Sequence, residues 1–261
     1  MVLSREPRNR EALQHYAATA LAGLYSGEPA ASGFFVGGRT EALRRLQAFD
    51  VAHYAAAHND VLNESSSKLS PYIRHGLLSP LEVCRSVVAR AGARASAVFL
   101  MQLAWRAYWY AVYRRWGGAE RRGAGEVSGS SEAAGAAWSA RAYGLYCIDE
   151  SLRRLRAKGF LPYAARLWLA SYLLHFEKRD WREGYALFQE HLVDADAVVN
   201  SLSWRWVAGN LTNRPFLFTR GSVERQTAGE YCQRCAAYRC PFEGTTEAVA
   251  ERARRFTGFA G

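Results

Sequence analysis

Asp194-Ala-Asp196-Ala-Val-Val-Asn200-Ser-Leu-Ser-Trp204-Arg-Trp206 places two carboxylates, one carboxamide and two indoles on 13 residues of a helix-like segment. That mix suits an aromatic redox cofactor. Carboxylates can meet ring nitrogens or ribose hydroxyls, a carboxamide can stand beside a reactive edge, and indoles can pass electrons. The same run also reads as a capped helix with a tryptophan core, because Asp is a favoured N-cap. The rest of the chain separates the two readings.

The 261 residues, 49% of them apolar, suffice for one large domain or two small ones with a sizeable core. No run of about 18 uncharged apolar residues occurs, which predicts no membrane span. The start, Met1-Val-Leu-Ser-Arg-Glu-Pro7, lacks the apolar core of a signal peptide, so a cytoplasmic location is expected. A formal net charge of +10 favours an anionic partner such as nucleic acid. Only Lys68, Lys158 and Lys178 are lysines, so the charge is nearly all arginine, which genome composition alone would also produce.

Apolar spacing predicts a helix over the first 25 residues, with Leu13, Tyr16, Ala17, Ala20 and Leu21 on one face. Residues 26–38 read as a Gly/Ser/Pro linker. Thr40 is the expected N-cap of a helix through Leu43, Leu46 and Phe49. Ser65, Ser66 and Ser67 interrupt the pattern, and Pro71 and Pro80 begin short helices. A long helix rich in Trp and Tyr is expected over 96–115, and a Gly/Ala/Ser loop over 117–137. Helical spacing returns over 148–158, 162–176 and 181–191. Alternating strand patterns are almost absent and no repeat is visible. The fold class is therefore all-α, divided as an N-terminal helix and linker (1–33), a helical domain (34–227) and a cysteine-bearing tail (228–261).

The run Ser65-Ser-Ser-Lys68-Leu-Ser70-Pro-Tyr72 offers successive hydroxyls and backbone amides before a helix start, with Lys68 for charge. Such a loop can cradle a phosphate; an ordinary Ser-rich loop with an N-cap has the same composition. Cys232-Gln-Arg-Cys235, followed by Cys240-Pro-Phe242, is a metal-type cluster that needs a fourth ligand. A cytoplasmic chain argues against disulfides. Four thiolates would suit a 4Fe–4S cubane or a tetrahedral zinc ion, and an idle set of thiols stays open. Cys84, in an apolar helix, is expected as a buried core thiol. The six histidines show no ligand spacing.

Several of these segments occur together in one known family. Phe34-Phe-Val-Gly-Gly38, Glu41-Ala-Leu-Arg-Arg-Leu46, Tyr54, Ser66 to Tyr72, Gly76-Leu-Leu-Ser-Pro80 and Leu103-Ala-Trp-Arg106 resemble the flavin-binding domain of the photolyase/cryptochrome family. The resemblance resumes at Ile148-Asp149, Arg166, Ala170-Ser171 and Asp180-Trp-Arg-Glu-Gly184, and runs on through Asp194 to Trp206. It covers roughly residues 34 to 220, in family order. It implies an all-helical domain holding FAD in a bent shape. By position, Tyr54, Ser66, Ser67, Lys68, Leu69 and Ser70 would hold the pyrophosphate side. Arg106 and Arg166 would line the ring pocket, Arg166 paired to Asp194. Asp196 would meet the ring or ribityl chain, and Asn200 would sit beside the reactive nitrogen. Trp204 and Trp181 match the first two tryptophans of the family's electron relay. The third falls in the Gly/Ser segment, with Trp109 and Trp116 as stand-ins.

The resemblance weakens on the substrate side. A His-containing pair precedes the second arginine in the family's repair enzymes; here the pair is Pro162-Tyr163. Tyrosine, with a pKa near 10, is a poor acid. The family's substrate-facing Glu is Gln102. Trp105 and Phe160 remain as walls that could stack a flipped base. The family's α/β antenna domain is absent, so a natural short form is expected. Cys147 stands at a place similar to that of the lone cysteine in the iron–sulfur bacterial branch of the family, and with Cys232, Cys235 and Cys240 resembles the set that holds a 4Fe–4S cluster there, although the last gap is shorter here; zinc is the alternative. The resemblance implies light-driven electron transfer from FAD to pyrimidine dimers in damaged or single-stranded DNA. Its alternative is a blue-light or redox sensor acting on a protein partner.

Overall fold

The computed structural model describes residues 9–23, 33–116 and 141–256. The chain divides into two compact units, 1–35 and 36–261. In the first, α1 (Arg10–Ala20) starts where the Asn9 carboxamide accepts from the Ala12 amide. Leu13 and Leu21 on its apolar face are exposed.

The second unit holds α2 (Arg39–Ala48), α3 (Val51–Ala57), α4 (Ser70–Arg74), α5 (Pro80–Arg115), α6 (Tyr146–Lys158), α7 (Tyr163–His175), α8 (Trp181–His191), α9 (Ala197–Val207), α10 (Arg220–Gln226), α11 (Glu230–Gln233) and α12 (Thr246–Arg255). Among the described residues there is no strand, as the missing alternation predicts.

Some local expectations shift. Gly38, not Thr40, caps α2, with a φ of 97° that only glycine adopts cheaply. Pro80 opens not a short helix but the 36-residue α5, which bends at Gly92 (φ 76°) and so absorbs the helix expected from Ser96. Cys84 is half-buried rather than a core thiol. The loop expected over 117–137 lies outside the described residues. Among the described residues, α5 alone is long and apolar enough to cross a membrane by length and composition. Gly92 divides it, and its second half builds a wall of the cavity described below.

The core lies between α6, α7, α8 and α9. Helix α7 packs on α6, α8 and α9, and α9 bridges to α5. Trp168, Tyr172, Phe176 and Trp204 are fully buried, and side chains of this size contribute about 1.5–3 kcal/mol each on burial. Tyr231, Phe242, Val249 and Ala253 of the cysteine-bearing tail join the same core.

Two devices fix what matters for function. Helix α6 ends on Gly159 in the left-handed conformation, whose carbonyl accepts from Val193 at 2.9 Å. This bond pins the loop before α7 to the loop carrying Asp194. A capping box, in which the Asp180 carboxylate and the Glu183 side chain bond each other's backbone amides, starts α8 at Trp181.

Candidate functional site

A cavity of about 450 Å³ opens between α3, α4, α5, α7, α8 and α9. Segments far apart in sequence line it. Tyr54 comes from α3, Ser66, Ser67 and Lys68 from the serine loop, and Ser70 from α4. Gln102, Trp105 and Arg106 come from α5, Phe160 from the loop before α7, and Tyr163 and Arg166 from α7. Asp194, Asp196, Asn200 and Trp204 complete the wall. Fifteen of the seventeen residues assigned from the sequence to cofactor, relay or substrate thus face one space.

Leu69 and Trp181 do not. The Leu69 side chain is buried, and its backbone amide donates weakly to Ser67 Oγ at 3.4 Å. Apolar packing under the loop, not ligand contact, is what leucine provides there. Trp181 sits behind the wall, with the guanidinium of Arg182 4.9 Å and that of Arg205 5.8 Å from its ring centre.

The two aspartates divide the work. Asp196 caps α9, its Oδ1 accepting from the amides of Val198 and Val199 at 3.1 and 3.2 Å. Its Oδ2 accepts from Arg106 and, at 2.9 Å, from the Tyr110 hydroxyl. Both oxygens are engaged within the protein, so the capping reading holds for this residue, which also orients Arg106. Asp194 is different. Its Oδ2 accepts from Arg166 at 3.0 Å, while Oδ1 is buried with no partner. Burial pushes its carboxyl pKa up. The Arg166 charge and hydrogen bonds from Ser70 and Arg166 outweigh that and hold it below the ordinary carboxylate range.

Two further residues lining the cavity each carry a buried atom without a partner, Ser66 its Oγ and Trp204 its Nε1. Buried polar groups are nearly always hydrogen-bonded, and of the seven buried side-chain atoms without a hydrogen-bond partner among the described residues, three belong to residues of this one cavity. Asn200 donates its amide N–H to the Tyr185 carbonyl at 3.2 Å, which fixes the carboxamide plane. Burial pushes the Tyr54 phenol up to about 12 and keeps it protonated. Burial pulls the Lys68 ammonium down; neighbouring Glu64 opposes that, whereas Arg45 and Lys158 add to it.

The mouth is aromatic. Trp105 is 50% exposed, stands edge-on to Tyr108 and lies 5.9 Å from Trp109. Phe160 carries the Arg166 guanidinium 5.6 Å from its ring centre. Tyr163 is half exposed overall, yet the dense surroundings of its hydroxyl raise its pKa, with Arg166 pulling the other way.

Sequence reasoning missed Tyr110, the second side-chain donor to Asp196. Its place four residues after Arg106, on the same helix face, was the available signal. It also missed what Gly184 does: a Cβ there would stand 2.1 Å from the Trp204 ring, so the glycine is the floor on which that indole lies.

All five cysteines are free thiols. Burial raises the Cys147 thiol well above its ordinary pKa, and Cys240, Cys235 and Cys232 are close enough for their charges to add to the shift. Proximity is not ligation: among the described residues, no three His, Cys, Asp or Glu side chains converge to hold a metal ion.

The family model described as the FAD binding domain of DNA photolyase matches residues 99–234. A deoxyribodipyrimidine photo-lyase of Streptomyces griseus is 32% identical over 178 residues, covering 62% of this chain and 36% of that protein. A chloroplastic/mitochondrial cryptochrome DASH of Oryza sativa subsp. japonica is 28% identical over 245 residues, covering 86% and 40%. The chain thus spans about two fifths of the length of these curated relatives. Among solved structures, a bacterial class III photolyase from Agrobacterium tumefaciens superposes with a TM-score of 0.69, at 24% identity, over 92% of this chain and 55% of that one. At that identity the likeness shows the fold.

Proposed function

The chain belongs to the photolyase FAD-binding domain family, matched over more than half its length, and from that premise we propose that the cavity holds FAD and that light drives one-electron transfer there. One observation carries this reading: Ser66 Oγ, Asp194 Oδ1 and Trp204 Nε1 are buried without partners around a single hollow. Each such atom costs about 1–3 kcal/mol unless a partner is supplied. FAD, with phosphate, hydroxyl and ring-nitrogen groups along its length, offers partners of the needed kinds. When bound, it supplies light absorption and one-electron chemistry.

The chain's residues do the rest. Ser66, Ser67, Lys68 and Ser70, with Tyr54, bind the pyrophosphate side; Leu69 supports them by packing. Asp194 holds Arg166 against the ring pocket, and Asp196 with Tyr110 holds Arg106. Asn200 presents its fixed carboxamide to the reactive edge. Trp204 on the cavity wall and Trp181 are the indoles that would supply electrons to the group when it is bound. The substrate proposed at the mouth is a pyrimidine dimer flipped out of damaged or single-stranded DNA. It would stack on Trp105 and Phe160 beside Gln102 and Tyr163, and such stacking contributes about 1–3 kcal/mol per base.

A second reading, a blue-light or redox sensor relaying the change to a protein partner, rests on the proton inventory of the mouth. Gln102 carries no ionisable proton, and Tyr163 holds its proton more tightly than an ordinary tyrosine, so the mouth lacks a ready acid. We further propose that Cys147, Cys232, Cys235 and Cys240 hold a 4Fe–4S cluster, with zinc as the rival metal. Their support is the mutual influence of four free thiols drawn from two distant segments.

The visible spectrum of anaerobically purified protein tests the cofactors: a flavin double band with a broad iron–sulfur shoulder is expected, and colourless protein would overturn the flavin reading. Iron, sulfide and zinc analysis separates the two metals. Illuminating dimer-containing DNA with the reduced protein separates repair from sensing, since unchanged dimers leave only the sensor.

A further inference from the structure

We propose that Glu64 is a positioning residue: its buried carboxylate ties the serine loop to α6 and so holds Lys68 at the cavity wall, ready for the anionic diphosphate end of the cofactor. The inference rests on the flavin reading above. Its own ground is an ion cluster standing behind the wall, since Glu64, Arg154 and Lys158 do not line the cavity whereas Lys68 does.

Glu64 is 7% exposed. A carboxylate so placed persists only with charged partners, and Glu64 has three. Its Oε1 accepts from Lys158 Nζ and stands 3.6 Å from an Arg154 nitrogen, while Oε2 is 3.8 Å from Lys68 Nζ. Lys158 and Arg154 belong to the last two turns of α6, and Lys68 to the loop. Arg154 is itself fixed. It donates to the Val61 carbonyl at 2.9 Å and to the Glu150 carboxylate at 2.8 Å, and its guanidinium lies 5.7 Å from the Tyr231 ring centre. The end of α6 that pins the Asp194 loop through Gly159 thus pins the serine loop as well.

The backbone shows a loop held in place. Glu64 and Lys68 both adopt left-handed φ, 49° and 53°, a region that residues with a side chain avoid. Such strain persists where neighbours over-determine it, and it collects at ligand clamps. Between the two, the Ser66 amide donates to the Glu64 carbonyl at 2.8 Å, which turns Ser66 and Ser67 toward the cavity. Charge supports the same role. Lys68 feels Arg45 and Lys158 as like charges, and Glu64 offsets them. An anion that meets a cradle already ordered loses less on binding.

The charge of Glu64 and its anchoring act in opposite directions. By charge alone, neutralising Glu64 would strengthen the binding of an anion and neutralising Lys158 would weaken it. By anchoring, both changes weaken it, because each cuts the tie between loop and α6.

The test uses the full chain freed of flavin and titrated with FAD, the Kd being read from flavin fluorescence at several salt concentrations. Wild type is compared with Glu64→Gln, Lys158→Met, Lys68→Gln and the Glu64→Gln/Lys68→Gln double variant, with Tm measured for each. We expect Glu64→Gln and Lys158→Met each to weaken FAD about tenfold. The double variant should bind no more weakly than Lys68→Gln alone, and Glu64→Gln should flatten the salt dependence of Kd as Lys68→Gln does. Shifts of opposite sign, a lowered Tm with unchanged Kd, or losses that multiply in the double variant overturn the positioning role and leave the flavin reading standing. If Glu64→Gln does not fold, Lys158→Met alone and combined with Lys68→Gln carries the same comparison. Wild-type protein that binds no FAD overturns the flavin reading itself.

Discussion

The cavity wall and the cysteine-bearing C-terminal region were equally suggestive as motifs, and the fold treats them differently. In the wall, α5, α7 and α9 bring Arg106, Arg166, Asp194 and Asp196 into paired, oriented positions and leave three buried polar atoms unpartnered. In the tail, Tyr231 and Phe242 are built into the core, the Tyr231 hydroxyl is buried without a partner, and Cys232, Cys235 and Cys240 stand near Cys147 of α6 without converging on a metal geometry among the described residues. A site prepared for a ligand is one whose own polar atoms are held apart from each other. Nearness of suitable side chains is a weaker property.

The largest break in the wall should come from Arg166→Ala. It leaves the buried Asp194 carboxylate without its cation, a loss on the order of 3–5 kcal/mol in similar buried pairs. Thermal unfolding should show a clear drop in Tm together with lost FAD uptake; an unchanged Tm would mean that the pair carries little.

Gly184→Ala comes next. Its methyl would drive into the Trp204 ring, since the Cβ site is 2.1 Å from that ring, and overpacking of this kind costs about 1–3 kcal/mol. Wild-type stability and unshifted tryptophan fluorescence would show that the indole has room to move.

The wall should also be acid-sensitive. Asp194 has a folded-state pKa below its unfolded one, so its contribution is complete above the ordinary carboxylate range. It is lost as pH falls through the lowered folded value. Asp194→Asn should therefore flatten the acid limb of a denaturant-midpoint-versus-pH curve, and an identical limb in both proteins would remove Asp194 from it.

The smallest effects should sharpen the reading of the thiols. Cys84→Ser, at a half-buried thiol, should stay within about 0.5 kcal/mol of wild type. Cys147→Ser should abolish bound iron or zinc if the four thiols hold metal. A metal content that survives the change takes Cys147 out of the set.

Much of the site could be read from residue identity and order. The run from Asp194 to Trp206, the serine loop and Arg166 carry chemistry in their side chains, and helical spacing showed which could share a face. The roles within the site could not be read. Asp194 and Asp196 are equivalent as letters, yet one caps α9 with both oxygens engaged and the other keeps an oxygen unpartnered. Gly184 entered the sequence reading only as the end of the Asp180-to-Gly184 motif, and its contact with the Trp204 ring is a tertiary fact. Tyr110 drew no notice because an aromatic on an aromatic-rich helix reads first as packing.

The sequence by itself determined the all-α class and most helix positions, because apolar spacing, caps and glycine stops are local properties of the chain. It also identified the FAD-binding family, since so many separate motifs in one order are hard to meet by chance. Only the tertiary structure decided which polar atoms are unpartnered, which indole rests on which glycine, and that one buried carboxylate joins the serine loop to α6. Those facts depend on long-range packing, which sets burial and partnership, and no window of sequence contains both sides of such a contact.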